Sequence, residues 1–137
     1  TGFHIQGMVL IEAARQMILA VMETHLFDAE KRGSYFVVLD HLSASFAAFA
    51  FPLPASLRCR VDHHSTDAHG NVTCRFTVAV WQADEEVANV QIAVRNYSKQ
   101  FIQRLEATQV RATIRKILAK AGTGQSLPSG AFEPEIA

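Results

Sequence analysis

The apolar positions near the start of the chain predict a long buried helix. Between Met8 and Met22, apolar side chains fall on nearly every face of a helical projection, which is typical of a helix inside a protein. Glu12, Arg15 and Gln16 interrupt this run, and their i, i+3 and i+4 spacing places them in one stripe. Burying a charge costs free energy unless the charge is paired, hydrogen-bonded or needed for binding or catalysis. This stripe is therefore expected to face a partner or a cleft.

After this helix, which is expected to end near Leu26, four runs rich in β-branched and aromatic residues predict a sheet. In the first run Asp40 and His41 indicate a bend or bulge, and the run ends before two prolines, which cannot donate to a ladder. Gly70 and Asn71 suit the positive φ of a hairpin turn. Polar turns are expected at 28–34, 67–71 and 83–85, and strands within 35–51, 57–62, 72–78 and 88–95.

One long helix followed by four strands, the last three joined by short turns, predicts an α+β fold in which an antiparallel sheet wraps the helix. The main domain is expected to cover residues 1–98. A second helix is predicted over 99–121, where an apolar stripe lies beside a basic face, and 122–137 has the composition of a flexible tail. The basic face is typical of a solvated surface, and an acidic carrier protein is its alternative partner.

Composition narrows the class of protein. The 137 residues suffice for one domain, and 13 basic against 13 acidic residues give no reason to expect nucleic-acid or membrane binding. Cys59 and Cys74 form no CxxC motif and are interpreted as free thiols, which favours a reducing cytoplasm. The sequence contains no apolar run of membrane-spanning length, and neither a membrane span nor a signal peptide is expected.

The residues from His4 to Gln16 read His-x-x-Gly-Met-x-x-x-Glu-Ala-Ala-Arg-Gln. This pattern resembles the motif that opens the central helix of the A-factor biosynthesis (AfsA-like) hotdog proteins. The interval from Gly7 to Glu12 is also similar to a segment of the hotdog 3-hydroxyacyl-carrier-protein dehydratases. Together with the strand spacing, the resemblance covers roughly residues 1–96. It implies a hotdog fold, and either a homodimer or pairing with a second hotdog unit. Hotdog proteins usually carry strands before this helix, so N-terminal strands are expected to be missing here.

Gly7 stands where the predicted helix begins, and its free N–H groups and dipole suit a carbonyl oxygen or an anion. The resemblance implies that Gly7 polarises a thioester and that Glu12 is a general base or an orienting acceptor. Burial would raise the proton affinity of Glu12, and Arg15 would lower it. It also implies that Arg15 either holds Glu12 or binds phosphate, that Gln16 orients Glu12, and that His4 is an acid or base. The structural alternatives are an ion pair between Glu12 and Arg15 with no catalytic role, a core amide for Gln16, and a helix-capping role for His4.

Met8, Phe46 and Phe49 are candidates for lining an acyl-binding site, although the phenylalanines also suit an ordinary core. His63, His64 and His69 are interpreted as exposed residues, because neighbours on a strand point to opposite faces and no carboxylate cluster accompanies them. No metal or bound cofactor is expected. The resemblance implies an acyl donor in the form of coenzyme A or the phosphopantetheine of an acyl carrier protein.

The resemblance favours an acyltransferase that moves a β-ketoacyl group to a hydroxyl, as in γ-butyrolactone biosynthesis. Dehydration of a 3-hydroxyacyl thioester and thioester hydrolysis are alternatives within the same fold. The dehydratases place their histidine farther ahead of the glycine, at a position that would precede Thr1. A third hypothesis is a non-catalytic module that binds an acyl ligand or only dimerises.

Overall fold

A computed structural model describes residues 2–122, which form a four-stranded antiparallel sheet and two long helices. The strand order in the sheet is β1-β4-β3-β2, so β3 and β4 are central and β1 and β2 are the edges. The chain divides into two units, one ending at Lys99 and one beginning at Gln100. The elements are α1 (Gly7–Val21), a π-helical turn (Met22–Leu26), a 3₁₀ turn (Ala29–Lys31), β1 (Tyr35–Phe46), β2 (Ser56–Thr66), β3 (Val72–Gln82), β4 (Glu85–Ser98) and α2 (Lys99–Gly122).

Alternation along the two central strands forms the core. Along most of each strand every second side chain points toward α1, so the inner face of the sheet carries the apolar core. This confirms the predicted α+β architecture, in which the sheet packs on the long helix. The core combines Ala14, Ile18 and Met22 with Val72, Cys74, Phe76, Val78, Val90, Ile92 and Val94.

The helix is less buried than its sequence predicts. Only Leu10, Ala14 and Ile18 of α1 are buried, at four-residue spacing along one stripe. Met8 and Val9 are 71% and 55% exposed. The prediction of a helix enclosed on all sides is wrong for the described chain, because one sheet covers only one face of α1.

The turns and strand ends agree in part with the sequence pattern. The register of β1 shifts between Leu39 and His41, which confirms the predicted bulge. Gly70 has a positive φ of 79°, but Asn71 does not and lies buried instead. The first strand ends at Phe46 rather than at residue 51, so Phe49 lies in the connection to β2.

The second unit contains α2, which confirms the expected C-terminal helix. Its last residue is Gly122, and the predicted tail beyond it lies outside the described residues. No helix within residues 2–122 has both the length and the apolar character needed to cross a bilayer.

Candidate functional site

Three polar side chains of α1 form one hydrogen-bonded cluster. Arg15 grips Glu12 with two bonds, from Nε to Oε2 at 2.7 Å and from Nη2 to Oε1 at 2.8 Å. Gln16 donates from Nε2 to Oε1 of Glu12 at 2.8 Å. The helix brings these groups together because residues three and four apart are neighbours on its surface. Both carboxylate oxygens are therefore held in a fixed orientation.

The cluster lies on the surface of the described chain. The side chains of Glu12 and Arg15 are 53% and 49% exposed. Hydrogen bonds from Arg15 and then from Gln16 lower the pKa of Glu12 to about 2, against a smaller opposing effect of desolvation. The expectation of a buried Glu12 is therefore wrong for this chain, and the neighbouring guanidinium outweighs burial in setting its proton affinity.

The N-terminus of α1 lies close to an aromatic ring. Gln6 precedes the helix with extended backbone and makes no capping bond through its side chain. A Cβ added at Gly7 would lie 2.8 Å from Cζ of Phe46, so the absence of a side chain at Gly7 lets that ring approach the backbone closely. The structure thus places Gly7 beside Phe46, one of the residues proposed from the sequence to contact an acyl group.

His4 lies next to Phe49, with ring centroids 5.1 Å apart. Within residues 2–122, no hydrogen bond or ion pair joins His4 to Glu12. Gly7 and Glu12 are five residues apart on one helix, which rotates them by about 140° relative to each other. Gly7 and Glu12 therefore lie on different faces of α1.

An apolar hollow of about 120 Å³ opens between α1, β1 and β4, with Arg15 in its wall. Arg15, whose guanidinium holds Glu12, is thus the one polar residue among those that line the hollow. None of Met8, Phe46 and Phe49 lines this hollow. Its other walls are Ile18, Leu19, Val37, Leu39, Leu42, Ile92 and Val94.

Comparison with known proteins identifies the family. The model of the A-factor biosynthesis hotdog domain matches residues 1–117, most of the chain. The chain belongs to the A-factor biosynthesis hotdog family. The resemblance of the segment from His4 to Gln16 is thereby confirmed.

Solved structures agree with the hotdog fold. A hypothetical protein from Aquifex aeolicus aligns with a TM-score of 0.58 and 13% identity, covering 71% of this chain and 75% of its own. A predicted thioesterase from Bacillus stearothermophilus aligns with a TM-score of 0.51 and 14% identity, covering 72% and 71%. At these identities the similarity shows the fold alone. No curated protein matches the chain.

The apolar hollow of this A-factor biosynthesis hotdog domain was missed by sequence analysis. Val37, Leu39 and Leu42 were interpreted only as strand residues, since a strand pattern does not show which side chains flank a helix far away in sequence. The bulge at Asp40 was the available signal. It lies between Leu39 and Leu42, both of which line the hollow.

The histidines of β2 and the following turn do not gather. His63 is 3.1 Å from the hydroxyl of Ser65, and His69 lies in the turn after β2. Across the described range, 2–122, no three His, Cys, Asp or Glu side chains are close enough to hold a metal ion. Cys59 and Cys74 are free, and burial raises the pKa of Cys74 to about 11.

Proposed function

We propose that this hotdog domain acts on acyl thioesters and transfers a β-ketoacyl group from coenzyme A or a carrier protein to a hydroxyl. The main observation in support is that Arg15 lines an apolar hollow and also donates two hydrogen bonds to the Glu12 carboxylate. An acyl thioester needs an apolar recess for its chain and oriented polar groups at its carbonyl. Membership of the A-factor biosynthesis family supports the same chemistry.

In the proposed transfer, the hydroxyl oxygen attacks the thioester carbonyl carbon and forms the ester C–O bond. The C–S bond breaks, and the hydroxyl proton ends on the departing thiolate. The N–H groups at the start of α1, including that of Gly7, stabilise the oxyanion that forms in between. Glu12 accepts a hydrogen bond from the hydroxyl and, together with His4, takes up its proton before it reaches the thiolate.

A second hotdog unit would complete this site. Val9, Glu12 and Gln16 share one face of α1 by their i, i+3 and i+7 spacing, and Val9 is exposed on that face. A partner covering this face would shield Glu12 from water and raise its pKa from about 2. The carboxylate would then become a better base than it is in one chain. The partner would also bring a second helix N-terminus to the site.

The assay uses purified protein with a β-ketoacyl thioester of carrier protein or coenzyme A and a glycerol-type hydroxyl acceptor, with products followed by mass spectrometry. Ester formation is expected, and Glu12→Gln is expected to reduce it at least about a hundredfold, as the loss of a group acting in proton transfer does. Glu106→Gln, an exposed change of the same kind in α2, serves as the matched control and is expected to leave the rate unchanged. Ester formation at the same rate in Glu12→Gln would overturn the assigned role.

Thioester hydrolysis is the second candidate, and the half-exposed Glu12 favours it because water reaches this carboxylate. The same assay separates the two reactions. Free acid without ester, again dependent on Glu12, would assign a thioesterase and refute the transferase. A 3-hydroxyacyl substrate tests for dehydration, and tight binding of thioester without turnover would indicate a non-catalytic acyl-binding module.

A further inference from the structure

The outer face of the sheet, opposite α1, carries a second hollow with different chemistry. It measures about 310 Å³ and receives side chains from all four strands. Its polar lining consists of His41, Arg60, Asp62, Arg75, Thr77 and Gln91. Because α1 packs on the other face, this hollow is separate from the site around Glu12.

The strand register explains the shape of this hollow. Ala93 on β4 pairs with His41 on β1 and with Arg75 on β3. A methyl group therefore stands between a histidine and an arginine in one row across the sheet. In the next row Gln91 pairs with Thr77. We call the space above Ala93, bordered by His41, Arg75 and Gln91, the outer notch.

The outer notch is bordered by side-chain donors that have no acceptor among residues 2–122. The side chains of His41, Arg75 and Gln91 make no hydrogen bond or ion pair with any described residue, although their backbones belong to the sheet. Each can donate N–H groups, Arg75 always and His41 in either ring state through at least one nitrogen. Three such donors around a small residue form a concave site for an acceptor from outside.

Asp62, the one carboxylate among the residues that line this hollow, is already engaged. Asp62 accepts from the hydroxyl of Thr77 at 2.5 Å and from Nε of Arg60 at 2.6 Å. Arg60 neutralises its charge, and Arg75 acts on it only through space. The lining therefore retains one positive charge in excess, on Arg75, which favours an anionic ligand.

We propose that the outer notch binds a phosphate-type oxyanion on a small molecule. A phosphate group offers three or more acceptor oxygens in a tetrahedral arrangement, which three converging donors above an alanine can engage together. The planar guanidinium of Arg75 provides two parallel N–H donors, the arrangement that suits phosphate oxygens. This site is independent of the thioester chemistry proposed above.

The test is a titration of the protein with inorganic phosphate at constant ionic strength, followed by backbone amide NMR. Saturable shifts at Gln91 and Ala93 are expected. Arg75→Gln should weaken binding about tenfold or more, because a charge-assisted hydrogen bond is lost. Ala93→Leu, which fills the notch without changing charge, should abolish the shifts. Circular dichroism melting checks that both variants fold. If Ala93→Leu does not fold, the phosphate affinity of Arg75→Gln alone tests the proposal.

Arg115→Gln in α2 is the matched control for net charge and is expected to leave phosphate binding unchanged. Equal weakening by Arg75→Gln and Arg115→Gln would show general charge attraction and overturn the proposal. Shifts that fail to saturate would do the same. Acetate titrated in parallel is expected to bind more weakly, and tighter binding of acetate than phosphate would refute the assignment to phosphate.

Discussion

At the scale of single residues, the Glu12 carboxylate is controlled by its neighbours on α1. Arg15 and Gln16 together donate three hydrogen bonds to it, and they stabilise its charged form at an exposed position. A carboxylate with a pKa of about 2 is a weak base, so in a single chain it serves better to orient a hydroxyl than to deprotonate it. A change that weakens the hydrogen bonds from Arg15, or that excludes water from Glu12, is therefore expected to raise the pKa of Glu12.

Arg15→Gln should therefore raise the pKa of Glu12 from about 2 toward the ordinary value of 4.5. The reason is that Arg15 is the largest cause of the lowered value, ahead of Gln16. An NMR titration of the Glu12 carboxyl carbon measures this directly. Arg111→Gln in α2 is the control and should leave the titration unchanged. A Glu12 pKa near 2 in Arg15→Gln would show that Gln16 and other groups hold the carboxylate without the guanidinium.

The sign of the accompanying stability effect follows from linkage. Because the folded-state pKa of Glu12 is lowered, its pair with Arg15 favours the folded state at pH values above about 4.5. This contribution is lost as the pH falls from 4.5 through about 2. At this exposed position water and salt screen the interaction, so the change in stability is expected to be small.

At the scale of elements, α1 is attached to the sheet by one stripe of side chains. Ile18 is 1% exposed and contacts the core formed by β3 and β4. Ile18→Ala is expected to lower the free energy of unfolding by about 3 kcal/mol, as the loss of a buried isoleucine side chain does. Ile114→Ala, the same change at an exposed position of α2, should stay within about 0.5 kcal/mol. Urea denaturation of both variants measures the difference, and equal losses would contradict one-sided burial of α1.

The helices and strands also show how much of the fold could be predicted from the sequence. Runs rich in β-branched and aromatic residues predicted the strands, and the spacing of Glu12, Arg15 and Gln16 predicted that they share one stripe, because both patterns are local. The end of β1, in contrast, depends on a contact between residues that are distant in sequence. After Phe46 the backbone of Phe51 bonds to the side chain of Gln82, whose Nε2 also donates to Phe51 and Leu53. The apolar run had predicted that the strand continues to residue 51. Instead, a side chain 31 residues away fixes the backbone of this segment outside the strand.

The apolar hollow was beyond sequence analysis for the same reason. Its walls come from α1, β1 and β4, and only the register and the bulge at Asp40 decide which side chains meet there. The burial of α1 was misjudged because apolar residues on the outer face of a helix look the same whether they contact their own sheet or a partner. Met8 and Val9 are exposed in the single chain.

At the scale of the whole molecule, this exposed apolar face leads to the last prediction. Met8 and Val9 are exposed beside the charged cluster, and the proposed site needs a second hotdog unit to cover Glu12. The protein is expected to sediment as a dimer at micromolar concentrations. Val9→Lys should shift it to monomer, because the added charge would be buried without a partner.

Val110→Lys in α2 provides the matched control for this dimer, since Val9 and Val110 are both 55% exposed on helices. It is expected to leave sedimentation unchanged. Dissociation by Val110→Lys but not by Val9→Lys would place the contact on α2 and leave Glu12 uncovered. In that event the pKa of Glu12 would stay near 2 in the assembled protein, and the carboxylate would act as an orienting acceptor rather than a base. Measuring the Glu12 titration above and below the dissociation concentration joins the two results, since a covered carboxylate must titrate at higher pH in the dimer.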